Sequence, residues 1–171
     1  MVARAQSTVP QAKHARVWQV MREVMDPELP HVSIVNLGIV RDVRLNDTGD
    51  LEVVITPTYS GCPAMHTIET DARTALDAAG YHDAKIVTQL SPAWTTDWVD
   101  DEGVAKLKAI GIAPPVNSSS KRALFEDMPD IRCPLCGSAN TEQISEFGST
   151  ACKALWRCKA CAEPFDYFKC I

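Results

Sequence analysis

The sequence lacks any apolar run that approaches the roughly 20 residues a helix needs to cross a bilayer. Residues 1–10 also lack the apolar core of a signal peptide, so we expect a cytoplasmic protein that does not associate with membranes. Positive charge is not in excess, because 17 Lys and Arg residues face 22 Asp and Glu residues, for a formal net charge of −5. A nucleic-acid-binding domain is usually basic, so this balance argues against that function.

Histidine is also scarce, and its positions limit the available catalytic chemistry. His14, His31 and His82 are not spaced as metal ligands. His66 follows Cys62 by four residues and could share a helix face with it, but a lone histidine there is more often a surface residue than a base. No combination of Cys, His and Asn typical of a thiol protease is visible. A thiol enzyme is therefore the weakest of the functions we consider.

Cysteine, by contrast, is abundant and unevenly distributed. Cys62 is the single cysteine before residue 131, and six more follow: Cys133, Cys136, Cys152, Cys158, Cys161 and Cys170. The C-x-x-C spacing and the missing signal sequence favour free thiols or metal ligands over disulfides. The stretch before this cluster is rich in Pro and Ser, which is typical of a linker. We predict an N-terminal domain at 11–113, a linker at 114–130 and a C-terminal module at 131–171.

The pattern of residues 11–113 predicts an α+β fold. Its segments follow in this order: helix 11–25, acidic loop 26–30, strand 39–45, turn 46–50, strand 51–56, helix 63–79, strand 84–90 and a further helix at about 96–110. The helix-strand-strand-helix-strand order predicts a small helix/sheet sandwich, with helices on one face of a mixed sheet.

The C-terminal module carries two C-x-x-C pairs, Cys133/Cys136 and Cys158/Cys161, separated by residues 137–157. This spacing matches that of four-thiolate zinc ribbons. Each pair would turn two thiolates to one side, and two pairs would make an S₄ cage that suits zinc, although iron is also accepted. The metal would stabilise a module too small to fold unaided. The alternative is two reduced or disulfide-linked pairs without metal.

Cys152 and Cys170 are left over from the two C-x-x-C pairs. Three interpretations stay open: buried small hydrophobic residues, a redox pair, or two ligands of an iron–sulfur site. The aromatic residues of the module are predicted to form its small core: Trp156, Phe165, Tyr167 and Phe168.

Cys62 stands where an apolar strand meets a helix, in the stretch 56–63. A thiol at the first turn of a helix faces unpaired backbone N–H groups and the positive end of the helix dipole, which favour its thiolate. Pro63 supports this placement, since proline is favoured in the first helical position. Cys62 is either a nucleophilic or metal-binding thiolate or a buried cysteine chosen for its size.

Three blocks of the N-terminal domain together resemble a known family. These are Asp26-Pro27-Glu28, the sequence VNLGIV at 35–40 and the sequence TPTYSGCP at 56–63. They are similar to the signature blocks of the small iron–sulfur-assembly domain shared by bacterial SufT-type proteins and eukaryotic cytosolic iron–sulfur targeting factors.

Later blocks narrow the resemblance to the PaaD (PaaJ) family, whose members belong to the phenylacetyl-CoA epoxygenase systems of aerobic bacterial phenylacetate degradation. The blocks are LSPAWTTDW at 90–98, GIAPP at 111–115, FGSTACKA at 147–154 and EPFDYFKC at 163–170. The resemblance implies a non-catalytic accessory role in this aromatic catabolism. Such a protein would help to assemble or insert the [2Fe–2S] cluster of the reductase subunit or the diiron site of the oxygenase subunit.

The same resemblance implies roles for individual residues. Cys62 would be the reactive cysteine of the assembly domain, with Asp26 and Glu28 in its acidic loop. The C-x-x-C cysteines would hold a structural zinc, and Cys152 and Cys170 would be additional ligands. A single Cys62 cannot hold a transient iron–sulfur cluster alone and would need a second subunit, a ribbon cysteine or the ligands of the target protein. We therefore expect a homodimer or a partner, the reductase or oxygenase subunit. The alternative is a scaffold protein that docks oxygenase and reductase through the ribbon.

Overall fold

The computed structural model describes residues 14–116 and 130–169, which form two compact units. The first unit contains the described residues up to Trp94 together with Trp98–Asp100. The second contains Thr95–Asp97 and the described residues from Asp101 onward. Most of the predicted linker, 114–130, lies outside the described residues. In the described ranges no helix is both long and apolar enough to span a membrane.

The first unit begins with helix α1 (Ala15–Arg22), whose buried face carries Val17, Trp18 and Met21. The chain then forms a short antiparallel hairpin from β1 (Met25–Asp26) and β2 (Leu29–Ser33). The sequence predicted an acidic loop at 26–30, but this prediction is wrong in part, because Asp26 and residues 29–30 belong to the two strands of the hairpin. The side chain of Asp26 accepts the backbone N–H of Glu28 at 2.8 Å, and this Asx turn reverses the chain so that its two arms pair.

A mixed three-stranded sheet follows, as the sequence predicted. Strands β3 (Val40–Leu45) and β4 (Leu51–Ile55) pair antiparallel, and β5 (Lys85–Thr88) pairs parallel to β4. Helix α2 (Ala64–Ala78) makes the connection from β4 to β5 and buries Ile68, Ala72 and Leu76. It lies against α1, β1 and β5. The α+β prediction is therefore confirmed.

The turn between β2 and β3 is tied to residues 98–100 within the same unit. The side-chain amide of Asn36 donates to both carboxylate oxygens of Asp100, at 3.1 and 3.2 Å. The backbone N–H of Asp100 donates in return to the carbonyl of Asn36 at 3.0 Å. This bond explains a difference from the predicted helix at 96–110. The chain instead forms a 3-10 turn (Thr96–Trp98), and α3 (Asp101–Ala109) begins only after Asp100.

The second unit is built on an antiparallel meander of β6 (Thr141–Ser145), β7 (Lys153–Cys158) and β8 (Pro164–Phe168). The predicted aromatic core is confirmed, because all four of its side chains are buried: Trp156, Phe165, Tyr167 and Phe168. Residues 101–113 group with this unit rather than with the first, and the predicted domain boundary at 113 stays a prediction. Ala113 pairs with β8: its N–H donates to the Asp166 carbonyl, and its carbonyl accepts the N–H of Phe168.

Candidate metal centre and candidate thiol site

The two C-x-x-C turns bring their four sulfurs together. The Sγ atoms of Cys133, Cys136, Cys158 and Cys161 all lie within 4.8 Å of one another. The sulfurs of Cys133 and Cys161 are 3.8 Å apart, and those of Cys136 and Cys158 are 3.5 Å apart. A tetrahedral zinc ion with bonds of about 2.3 Å to sulfur separates its ligand atoms by about 3.8 Å. The donor set therefore fits a closed four-thiolate metal site.

Backbone geometry supports thiolates in this cage. Gly137 adopts a φ of +75°, and its N–H donates to the carbonyl of Cys133 at 2.9 Å, which closes the first turn. In the second turn the N–H groups of Cys161 and Ala160 donate to the sulfur of Cys158. They lower the pKa of that thiol to about 6 despite its desolvation. Cys158 therefore loses its proton more easily than Cys136 or Cys161, whose pKa values are raised.

The pKa values of Cys136 and Cys161 are raised, so these two thiols are harder to deprotonate without a cation. The N–H of Glu163 acts to lower the pKa of Cys161, but desolvation and the neighbouring thiols outweigh it and raise that pKa to about 12. Four thiolates at these distances repel one another, and a dication removes the repulsion. Cys133 and Cys158 are also buried in the core of the second unit. All four ligands come from this chain, which is the pattern of a structural rather than a catalytic zinc site.

Cys152 lies outside this group of four sulfurs. It is buried, and its Sγ is 3.0 Å from the hydroxyl of Thr150. Cys170 falls outside the described residues. The predicted role of these two cysteines as further ligands therefore stays a prediction.

The loop that carries Cys62 connects β4 to α2. The N–H of Cys62 donates to the carbonyl of Tyr59 at 3.1 Å, and its carbonyl accepts the N–H of Met65 at 3.3 Å. Pro63 precedes the first helical residue with helical dihedral angles, and no acidic side chain occupies the first turn. Cys62 thus lies where the strand–helix connection meets α2, as predicted, but Pro63 is the N-cap and Ala64, not Pro63, is the first helical residue. Its side chain is half-buried, so the thiol is partly open to solvent.

Asp26 and Glu28 lie in the β1–β2 hairpin, where Asp26 is buried and Glu28 is half-buried. In residues 14–116 and 130–169, the four ribbon cysteines are the one group of three or more His, Cys, Asp or Glu side chains able to share a metal ion. Cys62, Asp26 and Glu28 do not form a second such group. A joint role for them in metal transfer stays a prediction.

The structure also contains a cleft that the sequence did not indicate. It lies in the first unit, has a volume of about 390 Å³ and is lined by these residues: Arg41, Asp42, Arg44, Val54, Thr56, Gln89, Pro92 and Trp98. The lining comes from two strands and from loop residues far apart in the chain, so no local motif brings it together. One signal was available, because Thr56 and Trp98 stand in blocks that carried the family resemblance.

Two different protein families match the N-terminal and the C-terminal part of the chain. Residues 14–86 match the family model of iron–sulfur cluster assembly proteins, and residues 117–169 match that of the PaaD zinc β-ribbon domain. A crystal structure of a domain of unknown function, DUF59, from Bacillus anthracis is similar with a TM-score of 0.51 and 26% identity. The similarity covers 57% of this chain and 92% of that one.

Two curated proteins extend the comparison. The Fe-S protein maturation auxiliary factor YitW of Bacillus subtilis is 37% identical over 78 residues, which cover 45% of this chain and 76% of that protein. A protein of Escherichia coli (strain K12) that is provisionally named as a component of 1,2-phenylacetyl-CoA epoxidase is 46% identical over 155 residues. That match covers 91% of this chain and 92% of the relative. The chain therefore belongs to the PaaD family of epoxidase components, and it joins an iron–sulfur cluster assembly domain to a zinc β-ribbon domain.

Proposed function

We propose that this protein is a non-catalytic maturation factor for a phenylacetyl-CoA epoxidase system, and that it assists assembly or insertion of an iron–sulfur or diiron centre. Two kinds of relative support the proposal. One carries the name of an epoxidase component, and the other carries the name of an Fe-S protein maturation factor. In the proposed role, the first unit handles the metal or cluster and the ribbon holds a structural zinc.

The contrast between the two kinds of cysteine site carries the proposal. Cys62 is a half-buried thiol before a helix, in a loop that contains no second cysteine. The four ribbon sulfurs lie within one coordination sphere. One accessible thiolate is a ligand that can bind and release, whereas four in a cage hold a metal permanently. Metal transfer needs the single accessible thiolate, and the folding of the ribbon needs the four-thiolate cage.

A single thiolate leaves most coordination positions of a cluster unfilled. The missing ligands would come from the recipient protein or from a second copy of this chain. We propose that the recipient is the reductase or oxygenase subunit and that Cys62 acts in the complex with it. The buried carboxylate of Asp26 and the half-buried Glu28 would take part in the same transfer step.

The test compares epoxidase activity in cells that carry the wild-type chain, Cys62→Ser or Ser60→Ala. Ser60 is an exposed residue of the same loop, so Ser60→Ala is a matched control for loop perturbation. Cys62→Ser should reduce activity to near the level of cells that lack the protein, and Ser60→Ala should not. The purified Cys62→Ser protein should keep its zinc. Full activity of cells with Cys62→Ser would refute the proposed transfer role.

A scaffold function is the second candidate, and one observation favours it. Among residues 130–169 the ribbon exposes the large apolar side chains of Leu135 at 61%, Ile144 at 52% and Phe147 at 61%. Such side chains could dock oxygenase and reductase. In this case Ile144→Ser with Phe147→Ser would abolish co-purification of these proteins, while Cys62→Ser would leave both the complex and its activity intact.

A further inference from the structure

We propose that the first unit contains a ligand site of its own, a cleft that binds a small monocarboxylate through Arg41 and Thr56. The cleft has a volume of about 390 Å³, within the usual range for small-molecule sites. Its lining residues all belong to the first unit. The inference does not depend on the maturation role of Cys62.

Arg41 supplies the positive charge of the site. Its guanidinium carbon lies 3.5 Å from the ring centroid of Trp98, and Nη1 donates to the carbonyl of Gly38 at 3.3 Å. Within residues 14–116 and 130–169 it forms no ion pair with a carboxylate. A half-buried guanidinium that is stacked on an indole and keeps unused N–H donors is well suited to pair with a carboxylate.

The second arginine of the cleft differs from Arg41 in this respect. The Nε atom of Arg44 lies 3.2 Å from the Glu52 carboxylate, so its charge is already paired. Arg41 and Arg44 therefore form a natural comparison, because both line the cleft and, in the described ranges, only Arg41 lacks an internal anion.

Thr56 supplies a second polar group. Its side-chain hydroxyl is buried, with the residue 1% exposed, and it has no hydrogen-bond partner in the described parts of the chain. An unsatisfied buried hydroxyl is costly, and native proteins leave few of them. A ligand oxygen that accepted the Thr56 O–H would remove this cost. Thr56 and Arg41 both line the cleft.

The rest of the lining selects among anions. Val54, Pro92 and Trp98 offer apolar surface for the body of a ligand, which favours an organic molecule over an inorganic ion. The carboxylate of Asp42 also lines the cleft and opposes a second negative charge. A singly charged carboxylate fits this balance better than a phosphate dianion does.

The aromatic wall is already in place before any ligand binds. Gly38 has a φ of +68°, and a Cβ on it would lie 2.6 Å from the Cβ of Trp98. Only glycine therefore lets Trp98 approach so closely. The hydrogen bonds between Asn36 and Asp100 hold the same segment. A preformed wall lowers the entropic cost of binding.

The test is an NMR titration of the full zinc-loaded chain with benzoate, followed through the indole N–H signal of Trp98. Benzamide, the neutral isostere, and inorganic phosphate serve as comparison ligands. Benzoate should give a saturable shift and bind about tenfold or more tightly than either, because a charge-assisted pair is lost with benzamide. Equal binding of benzoate and benzamide, or tighter binding of phosphate, would overturn the proposal.

Variants assign the contacts. Arg41→Gln should weaken benzoate binding by about tenfold or more, whereas Arg44→Gln should stay within about twofold of the wild type. Thr56→Val should weaken binding severalfold without lowering the melting temperature, since its hydroxyl has no partner in the described residues. Arg41→Lys keeps the charge and guards against a folding defect in Arg41→Gln, and it should bind with intermediate affinity. Wild-type affinity in either Arg41 variant would overturn the role of Arg41, and wild-type affinity in Thr56→Val would overturn that of Thr56.

Discussion

Gly38 and Trp98 approach so closely that a Cβ on Gly38 would lie 2.6 Å from both the Cβ and the carbonyl oxygen of Trp98. Gly38 also has a φ of +68°, in the left-handed region that costs other residues about 1 kcal/mol or more. Two independent constraints therefore require glycine at this position. They join the turn before β3 to the segment that carries one wall of the cleft.

Gly38→Ala should accordingly lower the free energy of unfolding of the first unit by about 2–4 kcal/mol, from backbone strain plus steric overlap. Gly80→Ala is the matched control, because Gly80 has a φ of +89° but nothing within 4 Å of a built Cβ. It should cost only the strain, about 1–2 kcal/mol. Urea unfolding of both variants measures the difference. Equal losses would show that the contact with Trp98 is not restrictive.

Replacing a ribbon ligand should remove the metal and unfold the ribbon. Cys133→Ser takes away one of four sulfurs in a buried cage, and structural zinc supplies on the order of 10 kcal/mol to the folding of such modules. Zinc per chain should fall to near zero, and Trp156 fluorescence should shift towards that of an exposed indole. Cys62→Ser should retain one zinc per chain. Retention of zinc by Cys133→Ser would contradict the assigned ligand set.

The cysteines of the zinc-loaded protein should differ in their rates of alkylation. Cys62 is half-buried and lies outside the cage, whereas Cys152 is buried against Thr150. Brief treatment with iodoacetamide at neutral pH should therefore label the Cys62 peptide before the Cys152 peptide or the peptides of the cage. Peptide mapping by mass spectrometry reads the order. A slower reaction at Cys62 than at Cys152 would argue against an accessible transfer thiol.

The ion pair between Asp50, in the β3–β4 turn, and Lys85, in β5, should make a pH-dependent contribution to the free energy of unfolding. The hydrogen bond from Lys85, with those from Thr48 and Asn46, lowers the pKa of Asp50, and the same pair raises the pKa of Lys85. A carboxyl group with a lowered pKa in the folded state stabilises it above the unfolded pKa of about 3.9. This contribution is lost as the pH falls through the folded value. The Lys85 contribution is present below about pH 10.4 and is lost as the pH rises through its raised pKa.

Asp50→Asn checks this linkage. The stability difference between wild type and variant, followed by NMR signals of β4 and β5 in urea, should be constant near neutral pH. It should shrink as the pH falls below about 4, where Asp50 of the unfolded chain becomes protonated first, and it should vanish below the lowered folded pKa, where Asp50 is protonated in both states. A difference of the same size at pH 3 and pH 7 would exclude the ionic contribution of Asp50.

Local patterns in the sequence were enough for much of the fold. Alternation in residues 51–56, the turn at 46–50 and the apolar stripe of α2 are local features, and the structure contains all three elements. The paired C-x-x-C motifs likewise predicted the four-sulfur cluster, because their spacing nearly determines its geometry. The uneven distribution of the cysteines predicted two domains, and the family resemblance then indicated what kind of domain each one is.

The features that the sequence did not reveal depend on contacts between distant residues. The bond from Asp100 to Asn36 interrupts the predicted helix at 96–110, and nothing near Asp100 in the sequence signals it. The pairing of Ala113 beside β8 moves residues 101–113 into the second unit for the same reason. Arg41 lies in the predicted strand 39–45, and only the structure shows that its guanidinium stacks on Trp98.

The most direct test of the proposed transfer role is the metal content of the recipient proteins. The reductase and oxygenase subunits would be purified anaerobically from cells that carry either the wild-type chain or Cys62→Ser, and their iron and labile sulfide measured per polypeptide. We predict that one of the two recipients is largely metal-free in the Cys62→Ser cells, while the Cys62→Ser protein itself keeps its zinc. Full iron occupancy of both recipients, together with full labile sulfide in the reductase, would contradict the proposed role of Cys62.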